Sequence, residues 1–245
     1  MRPDGVPAGN NSTVHPDPPR VVEQPSFLPP PQTSTQTPTQ DPAGPRAGIP
    51  GPALQALAQE CGSCQACGLA QGREHVVVSR GNPAARLLLI GEAPGAQEDA
   101  QGLPFVGRAG QLLDQMLVSV GLDSGRDAYI CNVIKCRPPD NRRPTPAEIA
   151  ACRPFLLRQI ALVDPPLILL VGATALEGVL GIKGGITRLR GQWRTGEGEG
   201  LAGRALMPIL HPSYLLRNPS REQGSPKWHT WQDLKEVKRR LEEGT

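Results

Sequence analysis

Long apolar runs are missing from this chain. None reaches the roughly 20 residues that a bilayer-crossing helix needs, and no continuous apolar core lies near the N-terminus where a secretory signal would carry one. The Arg-rich amphipathic pattern of a mitochondrial presequence is absent too, with only Arg2, Arg20 and Arg46 scattered there. A cytoplasmic, reducing setting is therefore expected, which turns the six cysteines away from disulfides and toward metal ligation. Nucleotide fingerprints are lacking: there is no GK(S/T) phosphate loop, and the glycines do not fit G-x-G-x-x-G. Aromatics amount to 3% of residues, and the net charge is only +3, so the total charge does not announce a nucleic-acid partner.

The chain does hold proline in excess at one end. About half of its 28 prolines fall before residue 53, among Thr, Gln, Ser and Gly, with almost no apolar periodicity. Such a segment buries too little apolar area to offset its ordering entropy. Residues 1–52 are expected to be a disordered tail, and 53–243 the folded domain. Any clamp or polymerase contact would fall to the tail, although no motif in it selects one.

Four short, almost continuously apolar segments follow: Arg86-LLLIG, Ala128-YICNVI, Leu167-ILLVG and Ala205-LMPIL. They suit strands buried on both faces. Between them lie helical patterns: Pro52 to Gln59, Gly110-QLLDQMLVSVG, a Thr145-Pro146 start with good cap chemistry, Thr174-ALEGVLG, and a charged amphipathic stretch from Gln232. Alternating β and α predicts a parallel sheet with helices on both faces. Ligands then bind beyond the carboxyl ends of the strands, after Ile90, after Val133, near Val171 and after Leu210.

Those strand ends are where unusual residues gather. The first leads into GEAPGAQEDAQGLPFVGRAG, a long Gly/Pro-rich loop with three acids, Glu92, Glu98 and Asp99, and with Phe105, one of three phenylalanines. An aromatic ring in such a loop suits stacking on a flat ligand as much as packing. The second ends in Asn132, whose amide offers both a donor and an acceptor to a ligand edge; a satisfied loop asparagine is the plainer alternative. The fourth ends in His211-Pro-Ser-Tyr-Leu-Leu-Arg217, placing an imidazole at a strand tip.

Cys64 and Cys67 form a C-x-x-C, and Cys136 and Cys152 lie well downstream. Four thiolates from two segments suit a tetrahedral metal or a cubane iron–sulfur cluster; zinc and buried free thiols stay open, and Cys61 makes an overlapping C-x-x-C. Basic residues cluster in three loops: Lys135, Arg137, Arg142 and Arg143; Lys183, Arg188, Arg190 and Arg194; Arg217, Arg221 and Lys227. Beside the other motifs, three such loops favour a polyanion over solvated surface.

The motifs GEAPG…ED…GLPFVGRAGQLLD, CNVIKCRPP and HPSYLLRNPSR, in that order with the cysteine framework, resemble the family 4 uracil-DNA glycosylases of bacteria and archaea. The resemblance runs from about Leu57 to the C-terminal helix. It implies a three-layer α/β/α sandwich around a central four-stranded parallel sheet, and a structural 4Fe–4S cluster on Cys64, Cys67, Cys136 and Cys152. Cys61 and Cys131 have no ligand role in the pattern. It also implies that Glu92 handles the attacking water, that Phe105 stacks on an extruded uracil, that Asn132 reads its edge and that His211 stabilises the leaving anion. Gly91, Ala93 and Glu98 would line the base pocket; many members carry glycine where this chain has Ala93.

On this reading the partner is uracil-containing DNA, single- or double-stranded. Its phosphates would meet Lys135, Arg137, Ser213 and Arg217, with Leu215 and Leu216 as a wedge into the vacated stack. A monomer is expected, with no catalytic metal and no covalent trapping of abasic DNA, since RPPDNRRPTPAE holds no histidine. Two other readings compete: a non-catalytic cluster- or zinc-bearing DNA-binding module, and a glycosylase for other damaged bases.

Overall fold

The computed structural model describes residues 51–244. Residues 1–50, most of the expected tail, lie outside the described residues. Gly51 and Pro52, counted with the tail above, instead open helix α1 (Gly51–Ser63), which is longer than its Pro52–Gln59 signal and carries Cys61 into the core. Strand β1 (Arg80–Gly81) and strand β2 (Leu87–Gly91) follow, then helices α2 (Ala96–Gln101) and α3 (Arg108–Val118). Next come β3 (Ala128–Asn132), α4 (Pro146–Val163), β4 (Leu167–Val171), α5 (Ala173–Leu180), α6 (Ile186–Leu189), β5 (Arg194–Thr195), β6 (Ala205–Ile209), α7 (Pro212–Arg217) and α8 (Pro226–Glu242).

The sheet order is β1-β3-β2-β4-β6-β5. Its four central strands are parallel, as expected. The whole sheet is six-stranded and mixed, however, because β1 and β5 pair antiparallel on the two rims. A two-residue strand shows no alternation that sequence could display, yet it covers an edge that would otherwise offer unpaired backbone groups.

Strand residues alternate between two apolar layers, as the pleat requires. Leu88, Ile90, Cys131 and Leu170 pack with Leu57, Ile160 and Leu176, from α1, α4 and α5. Leu87, Leu89, Ile130 and Leu169 pack with Leu113, Met116, Leu234 and Val237, from α3 and α8. Each such leucine contributes about 1.5–3 kcal/mol by leaving water. Helix α4 is fixed at its start by Thr145, whose hydroxyl accepts from Glu148 N while the Glu148 carboxylate accepts from Thr145 N. With four parallel strands, Glu92, Asn132, Gly172 and His211 all emerge on one side of the sheet.

Candidate active site

A cavity of about 590 Å³ lies beyond those strand tips, lined by Glu92, Ala93, Glu98, Phe105, Asn132 and His211, with Ser213, Tyr214 and Arg217 at its α7 side. Gly91 lies directly beneath: a β-carbon there would stand 2.4 Å from both Asn132 Oδ1 and Phe105 Cζ, so only glycine lets the two walls close over the end of β2.

Phe105 adopts a left-handed backbone, φ 55°, which costs a bulky residue on the order of 1–3 kcal/mol and needs external support. Two groups supply it. The Glu98 carboxylate accepts from the backbone N–H groups of Gly95, Val106 and Gly107 at 3.1, 3.0 and 2.8 Å. Arg80 donates from Nε to Pro104 O at 2.9 Å and is itself held by Asp114 at 2.7 Å. Gly110 makes the fold-back sterically feasible, since a β-carbon there would fall 1.8 Å from Phe105 O. The ring is buried, packs onto the α3 layer and still forms a cavity wall, so packing and pocket are one arrangement for this residue. Glu98, expected at the pocket, is also the tie of its loop.

Asn132 is buried at the end of β3. Its side-chain amide lines the cavity, while its carbonyl accepts from Lys135 Nζ at 2.7 Å. Glu92 begins the loop after β2, and Thr174 Oγ1 donates to its Oε2 at 2.5 Å. Thr174, 2% exposed, is a site residue that sequence reasoning missed; it read only as part of an apolar helical pattern.

His211 caps α7. The backbone N–H of Ser213 donates to its Nδ1 at 3.2 Å, with Ser213 Oγ at 2.8 Å from the same nitrogen. An Nδ1 that accepts a backbone proton carries none of its own, so in the neutral ring Nε2 is the protonated atom. Burial first, then the positive charge of Arg217, press the imidazole from 6.5 down to about 4 against a smaller opposing pull from Glu98. The ring sits 6.0 Å from that of Phe105, centroid to centroid.

The residues expected at phosphates divide. Arg217 is exposed at the cavity rim. Arg137 is half-buried, donating to Asn141 Oδ1 at 2.8 Å. Lys135 is a correction: at 2% exposure it lies inside the protein, where its ammonium donates to the Asn132 carbonyl. Leu215 is a second: fully buried under α7 in the sheet's core layer, it is no wedge, and Leu216 is partly buried against the same layer. Of the three basic loops, Arg142 pairs with Glu148, Arg143 with Glu177 and Arg190 with Asp233, so much of their charge is already met inside the protein.

Cys64, Cys67, Cys136 and Cys152 line a second, smaller cavity under α1, together with Cys61. Arg73 Nη1 donates to Cys136 Sγ at 3.3 Å and to the Cys64 carbonyl at 3.0 Å, clamping the C-x-x-C segment to the end of β3; nothing in the sequence marked it. Cys152 reaches the cavity from within α4, not from a loop. Cys61 is 2% exposed among core leucines, and burial pushes its thiol up to about 12. Among the described residues, no three His, Cys, Asp or Glu side chains are gathered as for a single metal ion.

Fold and cavity define a class: α/β proteins with a ligand-sized cavity beyond the tips of a parallel sheet. Comparison narrows it. Residues 78–235 match the model of the uracil DNA glycosylase superfamily. The chain is 47% identical over 173 residues to the type-4 uracil-DNA glycosylase of Thermotoga maritima, covering 69% of this chain and 86% of that one. It is 38% identical over 170 residues to the type-4 enzyme of Archaeoglobus fulgidus, covering 68% and 84%. A type-5 uracil-DNA glycosylase of Pyrobaculum aerophilum is 33% identical over 151 residues, covering 56% and 65%. The chain belongs to the uracil-DNA glycosylase superfamily, with type-4 members among its relatives.

Proposed function

We propose that this chain is a uracil-DNA glycosylase that extrudes uracil from DNA and hydrolyses its N-glycosidic bond, leaving an abasic site. The observation that carries the reading is the convergence of Glu92, Phe105, Asn132 and His211 on one cavity of about 590 Å³, which has room for a base with its sugar.

Uracil stacked in a duplex is out of reach, so the nucleotide must first leave the helix, at a cost of a few kcal/mol. In the cavity, Phe105 would stack on the base and the Asn132 amide would pair with its polar edge. Cytosine presents a donor where uracil presents an acceptor, and an unpaired buried partner rejects it. As the bond from C1′ to N1 breaks, the electron pair goes to uracil and negative charge gathers on O2. The neutral His211, donating from Nε2, would stabilise that oxygen by about 3 kcal/mol. Positive charge develops on the sugar; Glu92 would orient the water whose oxygen bonds to C1′ and take the proton it loses, and the released uracil anion picks up a proton from solvent. Arg217, exposed at the rim, would hold a phosphate.

The chemistry of the donor set, four thiols lining one cavity beside Arg73 and Lys135, supports a 4Fe–4S cluster that Cys64, Cys67, Cys136 and Cys152 would hold, with the two cations as countercharge and Cys61 left to the core. When bound, it would cross-link the segment before β1 to the end of β3 and the middle of α4, and it would supply no step of the hydrolysis.

A uracil-containing oligonucleotide, incubated with protein in chelator and then treated with alkali, tests this reading. Cleavage at uracil alone, strongly reduced but still measurable in Glu92→Ala and in His211→Ala, is the expected result. An intact strand would mark a DNA-binding module, and a requirement for magnesium would refute the chemistry. Brown protein with iron and sulfide near four each per chain supports the cluster; zinc in a colourless protein would overturn it.

A further inference from the structure

We infer that Thr174 and Arg143 form a positioning chain behind Glu92, fixing which carboxylate oxygen is left for the water; this deepens the reading of Glu92 given above and rests on it. Arg143 Nε donates to Thr174 Oγ1 at 3.0 Å, and Thr174 Oγ1 stands 2.5 Å from Glu92 Oε2. A guanidinium only donates, so it takes a lone pair of the threonine oxygen. The single hydroxyl proton is then directed at Glu92, whose Oε2 must accept. Oε1 is the oxygen that remains for a ligand.

Arg143 is itself held. Its Nη2 donates to Glu177 Oε2 at 2.5 Å, one turn beyond Thr174 on α5. The arginine thus bridges two side chains on one helix face, with every bond in the row running in a fixed sense. Its sequence context, two adjacent arginines in a basic loop, reads as a phosphate anchor, but the geometry commits its donors to the acid's support.

The free carboxylate of a glutamate has three rotatable bonds. Displacing a water-orienting group by about 1 Å can cost on the order of 100-fold in rate. Thr174→Val, which keeps the shape and removes the hydroxyl, should lower the single-turnover excision rate by about 10- to 100-fold, leaving affinity for uracil-containing DNA within about twofold. Thr174→Ser, which restores a hydroxyl, should recover most of the rate. In a Glu92→Ala background, Thr174→Val should cost nothing further, since a support without its acid has no work to do.

Arg143→Gln gives an independent arm if the valine variant misfolds: it should show the same rate loss with DNA affinity unchanged. A weakened DNA affinity with a normal saturated rate in Arg143→Gln would overturn the inference in favour of a phosphate contact. So would additive losses in the Glu92→Ala, Thr174→Val double variant. A crippled Glu92→Ala beside an unimpaired Thr174→Val would sink the positioning chain alone. A Glu92→Ala of normal rate would remove the role of Glu92, and the chain with it.

Discussion

The imidazole at the end of β6 offers a direct measurement. Its fall from 6.5 to about 4 corresponds, at about 1.36 kcal/mol per pH unit, to roughly 3 kcal/mol in favour of the neutral ring; because the ring is not fully enclosed, screening trims this toward about 2 kcal/mol. The sign follows from linkage. Between pH 6.5 and 4 the unfolded chain binds a proton at this site and the folded one does not, so the neutral ring favours folding fully above 6.5 and progressively less down to about 4. Histidine labelled with ¹⁵N, with His211→Gln to assign the signal among four histidines, reports both protonation and tautomer. The His211 resonance should hold still from pH 8 to 5 and titrate near 4, with Nε2 protonated and Nδ1 bare. Over the same range, the ratio of wild-type to His211→Gln excision rates should stay constant. A midpoint at 7 or above, or a proton on Nδ1, would refute the neutral-donor role, because the ring would then be at least half charged at pH 7 or would turn its bare nitrogen to the ligand.

Asn132→Asp exchanges the amide donor for a carboxylate and should lower binding of uracil-containing DNA relative to uracil-free DNA by about 1–3 kcal/mol; equal losses on both DNAs count against an edge-reading role. Gly91→Ala forces a methyl to within 2.4 Å of Asn132 and Phe105 and should destabilise the pocket by about 1–3 kcal/mol, with excision lost ahead of folding; an active alanine variant would mean that the two walls move freely. Lys135→Met should leave the salt dependence of DNA binding unchanged, while Arg217→Gln lowers the slope of log K against log salt by about 0.9, one phosphate's worth. A reduced slope for Lys135→Met would return that lysine to the DNA.

The four parallel strands were legible because buried strands write themselves as unbroken apolar runs, and Leu87 to Ile90 or Leu167 to Val171 admit few other readings in an alternating β–α chain. Helix α4 was legible for another reason: Thr145, Pro146 and Glu148 spell out a cap. Short elements held by tertiary contact were not legible. Strands β1 and β5 exist only as partners to an edge, and α2 and α7 are six-residue helices inside what reads as loop. The same division runs through the site. Glu92, Phe105, Asn132 and His211 stand out as polar or aromatic residues where apolar strands stop. Thr174 and Arg73 matter through partners some 80 and 60 residues away, and no local pattern announces such a pair.

Lys135 shows why composition misled where geometry does not. Beside Arg137, Arg142 and Arg143 it looked like one more phosphate ligand, yet the segment from Asn132 to Cys136 is buried throughout, and a buried lysine needs a partner for its charge. It finds the carbonyl of Asn132 on one side and the thiol cavity on the other. Five residues, Asn132 to Cys136, thus join the amide that faces the base pocket to a sulfur of the second cavity, with one buried ammonium bound across the turn. A cluster that neutralises this ammonium would hold the turn closed and the amide in register.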